Sequence, residues 1–513
     1  SPYGKEWGLK VVGCNVRIQG TSSTKYPRKN YRIYLLKPNT VQVYRRNSDG
    51  AWILADDFKG WPIAPSDIPA PLICLKADYS DSSMTMNTGG ARLFDEMMRS
   101  LGLLTPPQQH DARVRQAIDG FPVDVFSSES EEGSIEYYGQ YNFNNDKSKS
   151  GDIFGHSNVK DFDTSKSVAL EFLNNGSRPG QFQAAGSAES AELLKQMQTE
   201  FDDAMEFNYP EDLVWATIDT KVPGAQKALL RLFGWIYDCV RECTQKNGLD
   251  TAHTDYKDIS RFKSEKFKAE LYQYFPIDHL LLYYLWTDYH MSVDQRVKNI
   301  IMRTWDLQHW YMKYYDGDCA FGKRNDSFLS YLYTLSRDTW DADKNKYAFE
   351  GHNSWLWCLV LANFNEELRT MAKKMRSFLT NEKEFNMWNI KQMGNWCARA
   401  YNKSGAFKYI VPATKGVKVI KDGVTSEGVT YPYIYALDGT NHAHRVNIIK
   451  KRFSLLDAYY GCDSYKDDNV EMYISRLATD PTNHIQITAN SIYYFDWNTK
   501  NGSHSDAKKA EAG

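Results

Sequence analysis

Leu280-Leu281-Leu282-Tyr283-Tyr284-Leu285-Trp286 is an unbroken apolar run in the second half of the chain. A helix that is apolar on every side has no face to offer water, so this one belongs in the interior. A polar loop follows, Val293-Asp294-Gln295-Arg296-Val297-Lys298-Asn299, and then a strand-like run, Asn299-Ile300-Ile301-Met302. Arg303 to His309 is mostly polar and suits a hairpin connection to a second strand, Trp310-Tyr311-Met312-Lys313-Tyr314-Tyr315. Asp316-Gly317-Asp318 comes just past that strand's end. Polar groups exposed beside rigid buried elements are good site candidates.

Asp294 is followed five residues later by Asn299, the spacing of a protein-kinase catalytic loop. There the carboxylate addresses the acceptor hydroxyl and the amide oxygen helps to hold a metal. Beyond the hairpin, Asp316-Gly317-Asp318 lies in an aromatic run closed by Phe321-Gly322, similar to the segment that carries the metal-binding Asp of kinases. Metal-assisted phosphoryl transfer needs hard oxygen ligands arriving from two neighbouring backbone segments. On spacing alone, the same residues also read as solvated carboxylates of ordinary turns.

Together with segments upstream, these residues resemble the CotH kinase family, atypical protein kinases first associated with spore-coat assembly. The matching stretches are Arg17-Ile18-Gln19-Gly20-Thr21-Ser22-Ser23-Thr24, Pro27-Arg28-Lys29-Asn30-Tyr31-Arg32-Ile33, Asp294 to Asn299, and Tyr315 to Gly322. Leu75-Lys76-Ala77-Asp78-Tyr79-Ser80-Asp81-Ser82-Ser83 looks like the variant found in phage and gut-bacterial proteins. The likeness runs from residue 10 to residue 410 or so. Tyr315 stands where the family has Trp, and Gly20-Thr21 where it has Gly-Asn.

The resemblance implies an α+β fold of the atypical protein-kinase type, with a β-rich N-lobe and a helical C-lobe. It implies ATP and Mg²⁺ or Mn²⁺ as cofactors. Asp294 would position or deprotonate the acceptor hydroxyl. Asn299 and Asp316 would hold the metal, with Asp318 in support. Ser22 and Ser23 would lie in the phosphate-binding loop, and either Lys29 or Lys76 would neutralise phosphate charge. Lys76 and Glu96 occupy, in sequence order, the places of the strand Lys and helix Glu that pair in kinases. Gly139 to Lys147 occupies that of the hinge, whose backbone would meet the adenine edge. The expected partner is a protein bearing Ser or Thr, and the expected setting is a virion, a spore or cell surface, or the extracellular space. An alternative keeps the fold as a catalytically weak or inactive structural protein in a phage or surface assembly, since fold does not establish activity.

Along the chain the texture suggests a β-rich N-lobe over residues 1–150 and a connector or insertion over 151–225. A helical C-lobe over 226–404, a small β-rich region over 405–500 and a flexible tail over 501–513 follow. Val11 to Gln19, Tyr31 to Lys37, Pro71 to Ala77, Val114 to Phe126 and Tyr137 to Phe143 read as strands. Ser82 to Gly102 reads as a helix, as do the periodic apolar stretches within Leu229–Val240, Ile277–Tyr289, Trp355–Phe364 and Leu368–Leu379. Ile448 to Tyr460 reads as a further helix stopped by Gly461. The length of 513 residues and a 42% hydrophobic content suit a large globular core. A net charge of −2 gives no general argument for binding nucleic acid. No apolar run is long enough for a membrane span. The 8 Cys residues are scattered and read as reduced core residues without a zinc pattern. The chain opens Ser1-Pro2 without Met, and further sequence is expected at either end.

Overall fold

The computed structural model describes residues 9–320 with breaks at 21–23, 25–28, 36–40, 63–66, 79–86, 128–135, 149–150, 175, 252–257, 291 and 293. It also describes 353–380, 452, 455–462 and three short strand pairs, 340–341 with 346–347, 419–421 with 424–426, and 493–494 with 508–509. The fold is α+β, with antiparallel pairing in every sheet.

β1 (Leu9–Val12) and β2 (Asn15–Gln19) lie in the stretch read as one strand, yet they enter different sheets. Gly13 between them has φ +74°, a left-handed conformation that ends an extended run and that glycine adopts without steric cost. β1 pairs with β4 (Gln42–Arg46), which pairs with β5 (Trp52–Leu54). β2 opens a 5-stranded sheet with β3 (Asn30–Tyr34), β6 (Leu72–Lys76), β7 (Gly120–Ser127) and β8 (Glu136–Asn145), in the order β2-β3-β6-β8-β7. β6 is its central strand, and Leu-Ile-Cys-Leu provides the near-continuous apolar run expected where both faces are covered.

A 4-stranded sheet has the order β10-β9-β11-β12, with β9 (Val168–Phe172), β10 (Met205–Tyr209), β11 (Ile301–Thr304) and β12 (Tyr311–Lys313). Residues 151–225, expected as a connector or insertion, contribute β9 and β10 to this sheet. β9 sits between β10 and β11, so this segment builds the sheet that carries the Ile301–Lys313 hairpin. Val168 to Phe172 is buried throughout, which answers to its apolar, β-branched start.

α1 (Thr88–Ser100) starts later than expected, residues 82–86 lying outside the described part, and ends before Gly102 at φ +71°. α2 (Pro106–His110) begins with a capping box between Thr105 and Gln108. The Ser190 hydroxyl caps α3 (Ala191–Ala204) by accepting from Leu193 N, and Gly248 ends α4 (Ala225–Asn247) at φ +64°. α5 (Glu265–Glu270) is capped by Ser264, whose hydroxyl accepts from Phe267 N. α6 (Ile277–Tyr289) has the bounds read from its apolar pattern and is buried from His279 to Tyr289. α7 (Trp355–Asn363) and α8 (Asn365–Thr380) follow. Residues 455–460 are helical, as expected, and Gly461 has φ +67°.

One hydrophobic core runs from Leu35 and Ile73 in the first sheet, through α1, α4 and α6, to Leu456 and Tyr460. Its aromatic centre is Phe94 of α1, whose ring lies 5.9 Å from Tyr283, 5.8 Å from Trp286 and 5.9 Å from Tyr314. All four side chains are buried. At about 1.5–3 kcal/mol for each large side chain removed from water, this cluster fixes α1 and α6 against the start of the Tyr314–Asp318 segment.

Candidate active site

The loop between α6 and β11 is held from three directions. The Asp294 carbonyl accepts from Arg296 N at 2.9 Å and Lys298 N at 3.0 Å, which closes a tight turn. The Tyr283 hydroxyl donates to the Gln295 carbonyl at 2.7 Å, and Trp357 Nε1 donates to the Arg296 carbonyl at 2.6 Å. The buried Arg296 guanidinium folds back over the Tyr284 ring, 3.9 Å from its centroid, and donates to Thr287 Oγ1 and the Tyr284 carbonyl. Asp294 and Asn299 stay half-buried at the two ends of this clamped turn. Asn299 takes φ +56° and donates its N–H to the Phe172 carbonyl of β9 at 2.9 Å. Asn tolerates the left-handed region better than most residues.

Asp316 also adopts a left-handed backbone, φ +56° and ψ +47°, at the start of the short helical turn Gly317–Cys319. Ile301 of β11 faces Lys313 of β12, so Asn299 and Asp316 leave the hairpin at the same end. The Gln295 amide joins the two segments: Nε2 donates to the Tyr315 carbonyl at 3.2 Å and the Asp316 carbonyl at 2.7 Å. Gly317 lies against the Tyr314 ring, and a Cβ there would collide with the Tyr314 hydroxyl. That hydroxyl in turn shares a hydrogen bond of 3.0 Å with Ser292. Asp318 is half-buried in the same turn.

Lys76, at the end of β6, approaches from the other sheet and is buried. Burial opposes its charge, but Asp316 foremost, with Cys74, Asp78 and Asp146, holds its pKa above the usual lysine value. The Tyr315 ring lies near two ammonium groups, Lys76 Nζ at 5.9 Å and Lys147 Nζ at 5.3 Å from its centroid. Asp78 is buried with φ +39° and accepts from Asn142 Nδ2 at 2.7 Å and Asn87 Nδ2 at 3.3 Å. Thus Asp294, Asn299, Asp316 and Asp318 lie on two tethered segments, and Lys76 reaches the Tyr315 ring beside Asp316.

Other expected residues fall elsewhere. Lys29 precedes β3 at the same sheet end as Lys76, because Tyr31 pairs with Leu75, and its Nζ donates to the Thr24 carbonyl at 2.6 Å. Ser22 and Ser23 lie outside the described residues. The Lys76–Glu96 pair does not form. Glu96 accepts from Arg92 Nε at 3.2 Å, one helical turn away, beside Asp119, and burial pushes its carboxyl up to about 7. The phase of α1 turns Glu96 toward Arg92, which also approaches Asp119 at 3.6 Å, and the carboxylate that most supports the Lys76 charge is Asp316. Within the segment expected as the hinge, Asn142 to Asn144 of β8 pair with both β6 and β7, so this part of the backbone has no open edge for an adenine.

Gln295, Arg296 and Asp78 carry no role in the sequence reading, yet they organise the site. The only signal they gave was polarity at positions flanked by buried elements. Among the described residues, no group of three or more His, Cys, Asp or Glu side chains is arranged to hold a metal ion. Cys74, Cys239, Cys243 and Cys358 are buried free thiols. No helix of the described residues is long and apolar enough to cross a membrane. No family model matches the chain, and no curated protein is found to be similar to it.

Proposed function

We propose that the protein is a CotH-like kinase, two-lobed in the manner of atypical protein kinases, which transfers the γ-phosphoryl group of ATP to hydroxyl side chains of a protein substrate. The observation that carries this reading is the tethering of the Asp294–Asn299 turn to the Asp316–Asp318 turn by the Gln295 amide, with the Lys76 ammonium 5.9 Å from the centroid of the adjoining Tyr315 ring. Two of the residues in the metal-binding role, Asn299 and Asp316, sit in left-handed backbone. Such strain costs on the order of 1–3 kcal/mol per residue and collects at positions where function over-determines geometry.

The donor set fits the metal this reading requires. The Asn299 amide oxygen and the Asp316 and Asp318 carboxylates are hard ligands suited to Mg²⁺ or Mn²⁺, with phosphate and water oxygens completing an octahedral shell. A metal bound there would offset the charge on the β- and γ-phosphates. Asp294 accepts the proton of the substrate hydroxyl. The hydroxyl oxygen bonds to the γ-phosphorus as the bond from that phosphorus to the β-bridging oxygen breaks. Lys76 supplies a fixed positive charge beside Asp316, within reach of the phosphates this reading puts there. Because the transition state is loose, positioning and charge neutralisation carry most of the rate.

Isothermal titration of ATP in the presence of Mn²⁺ tests the reading, with Asp316→Ala as its control. Metal-dependent binding by the parent and its loss in the variant are expected, together with loss of phosphoryl transfer to protein. A parent that binds no nucleotide at millimolar concentration would leave only the inactive structural role in a phage or surface assembly.

A further inference from the structure

We infer that Gln295 is the positioning residue of this site, setting the conformation of Asp316 from the neighbouring loop; the inference rests on the kinase reading. Both N–H bonds of one amide are used on consecutive carbonyls, Tyr315 and Asp316. Two carbonyl acceptors leave no choice about which way that amide points. Gln295 is fully buried, and its own carbonyl is anchored by Tyr283, so the donor group is fixed before any ligand arrives. Its Oε1 is buried without a partner. The left-handed backbone of Asp316 turns its carbonyl toward the loop, and the Gln295 amide is what meets it. Mutating groups that orient a metal ligand from behind typically costs about 10- to 100-fold in metal affinity.

The test compares the parent with Gln295→Met, which removes the donors, and Gln295→Glu, which turns an acceptor on the two carbonyls. Mn²⁺ affinity in the presence of ATP is read by electron paramagnetic resonance, amide exchange of the 314–320 segment by mass spectrometry without nucleotide, and folding by thermal denaturation. We expect Mn²⁺ affinity to fall about 10-fold for Met and further for Glu. Exchange should quicken in 314–320 more than elsewhere, with the variants less stable than the parent but still unfolding cooperatively. Gln295→Asn, which retains the amide but cannot span both carbonyls, serves if the longer replacements fail to fold, and it too should weaken Mn²⁺. Parental Mn²⁺ affinity in the folded variants, with Asp316→Ala still abolishing it, would overturn the role of Gln295 alone. Absence of Mn²⁺-dependent nucleotide binding in the parent would overturn both the role and the reading.

Discussion

Asp316 is the carboxylate that most strongly holds Lys76 in its charged form, although Lys76 ends β6 of one sheet and Asp316 lies in a turn that follows β12 of the other. Lys29, by contrast, has its ammonium on the Thr24 carbonyl. On the proposed reading, Lys76 is the stronger candidate for the phosphate-facing cation. Lys76→Met is expected to weaken ATP binding by about 10- to 100-fold, the range for losing a charge-assisted contact. Lys29→Met should cost less. Titration of both variants with ATP and Mn²⁺ decides the order, and a larger loss at Lys29 would reverse the assignment.

Gly317 tests whether the Asp316 turn tolerates any side chain. A Cβ at this position meets the hydroxyl and ring of Tyr314, which is itself packed against Phe94 and Trp286. The ring cannot swing away, so the turn must move. Gly317→Ala should destabilise the fold by about 1–3 kcal/mol in urea denaturation and should also reduce Mn²⁺-dependent ATP binding. Gly317→Ala combined with Tyr314→Phe, which removes the nearest clashing atom, should recover part of both losses. Full stability in the single variant would show that the turn is loose and does not preset Asp316.

What could be read in advance followed from local chemistry. α6 was legible because a run apolar on every side has only the interior to occupy, and its bounds held at Ile277 and Tyr289. The Asp294–Asn299 and Asp316–Asp318 turns were legible as polar punctuation beside buried elements. The rest depended on distant pairing. Residues 168–172 looked like part of a connector because only their partners on β10 and β11 make them a central strand. Glu96 was misplaced because sequence order does not specify the helical phase of α1 relative to Lys76. Gln295 was silent because its partners are backbone carbonyls, which leave no trace in residue identity.

Glu96 gives the protein a defined pH slope. Burial raises its folded pKa to about 7 against an unfolded value of 4.5. The folded state therefore binds the proton more tightly. The associated stability is fully present below the unfolded value and is lost as pH rises through the folded one. Its size is on the order of 3 kcal/mol. Neighbouring Asp119, held below its usual value chiefly by Arg92 and Arg115 against the effect of burial, titrates in the acid and leaves this window alone. The urea stability of Glu96→Gln relative to the parent should rise between about pH 5 and pH 8, as the parent alone loses the contribution of protonated Glu96. The buried, neutral His156, His279 and His290, whose pKa values burial depresses, make stability rise with pH below about 6.5 in parent and variant alike. The readout is therefore the difference between the two curves, and a difference that does not change between about pH 5 and pH 8 would mean that Glu96 does not titrate there.

The helical segment 455–460 is joined to the rest of the core by buried charge. Arg376 of α8 donates to both oxygens of Asp457, at 2.7 and 2.9 Å, and the Tyr289 hydroxyl donates to Asp457 at 3.0 Å. Nearby, Arg452 donates to the Asp288 side chain at 2.8 Å, and the Tyr460 hydroxyl donates to the other Asp288 oxygen at 2.9 Å. Desolvating such pairs consumes much of their attraction, so their net contribution is small, but an orphaned partner is costly. Arg376→Met leaves Asp457 with the Tyr289 hydroxyl but no counter-charge and should cost about 3–5 kcal/mol, with Asp457→Leu costing a similar amount. The double variant should be more stable than either single one, because no unpaired charge stays buried. A urea-denaturation double-mutant cycle measures this directly. Additive losses would mean that Arg376 and Asp457 act independently and that the segment is held by its apolar contacts through Leu456 and Tyr460.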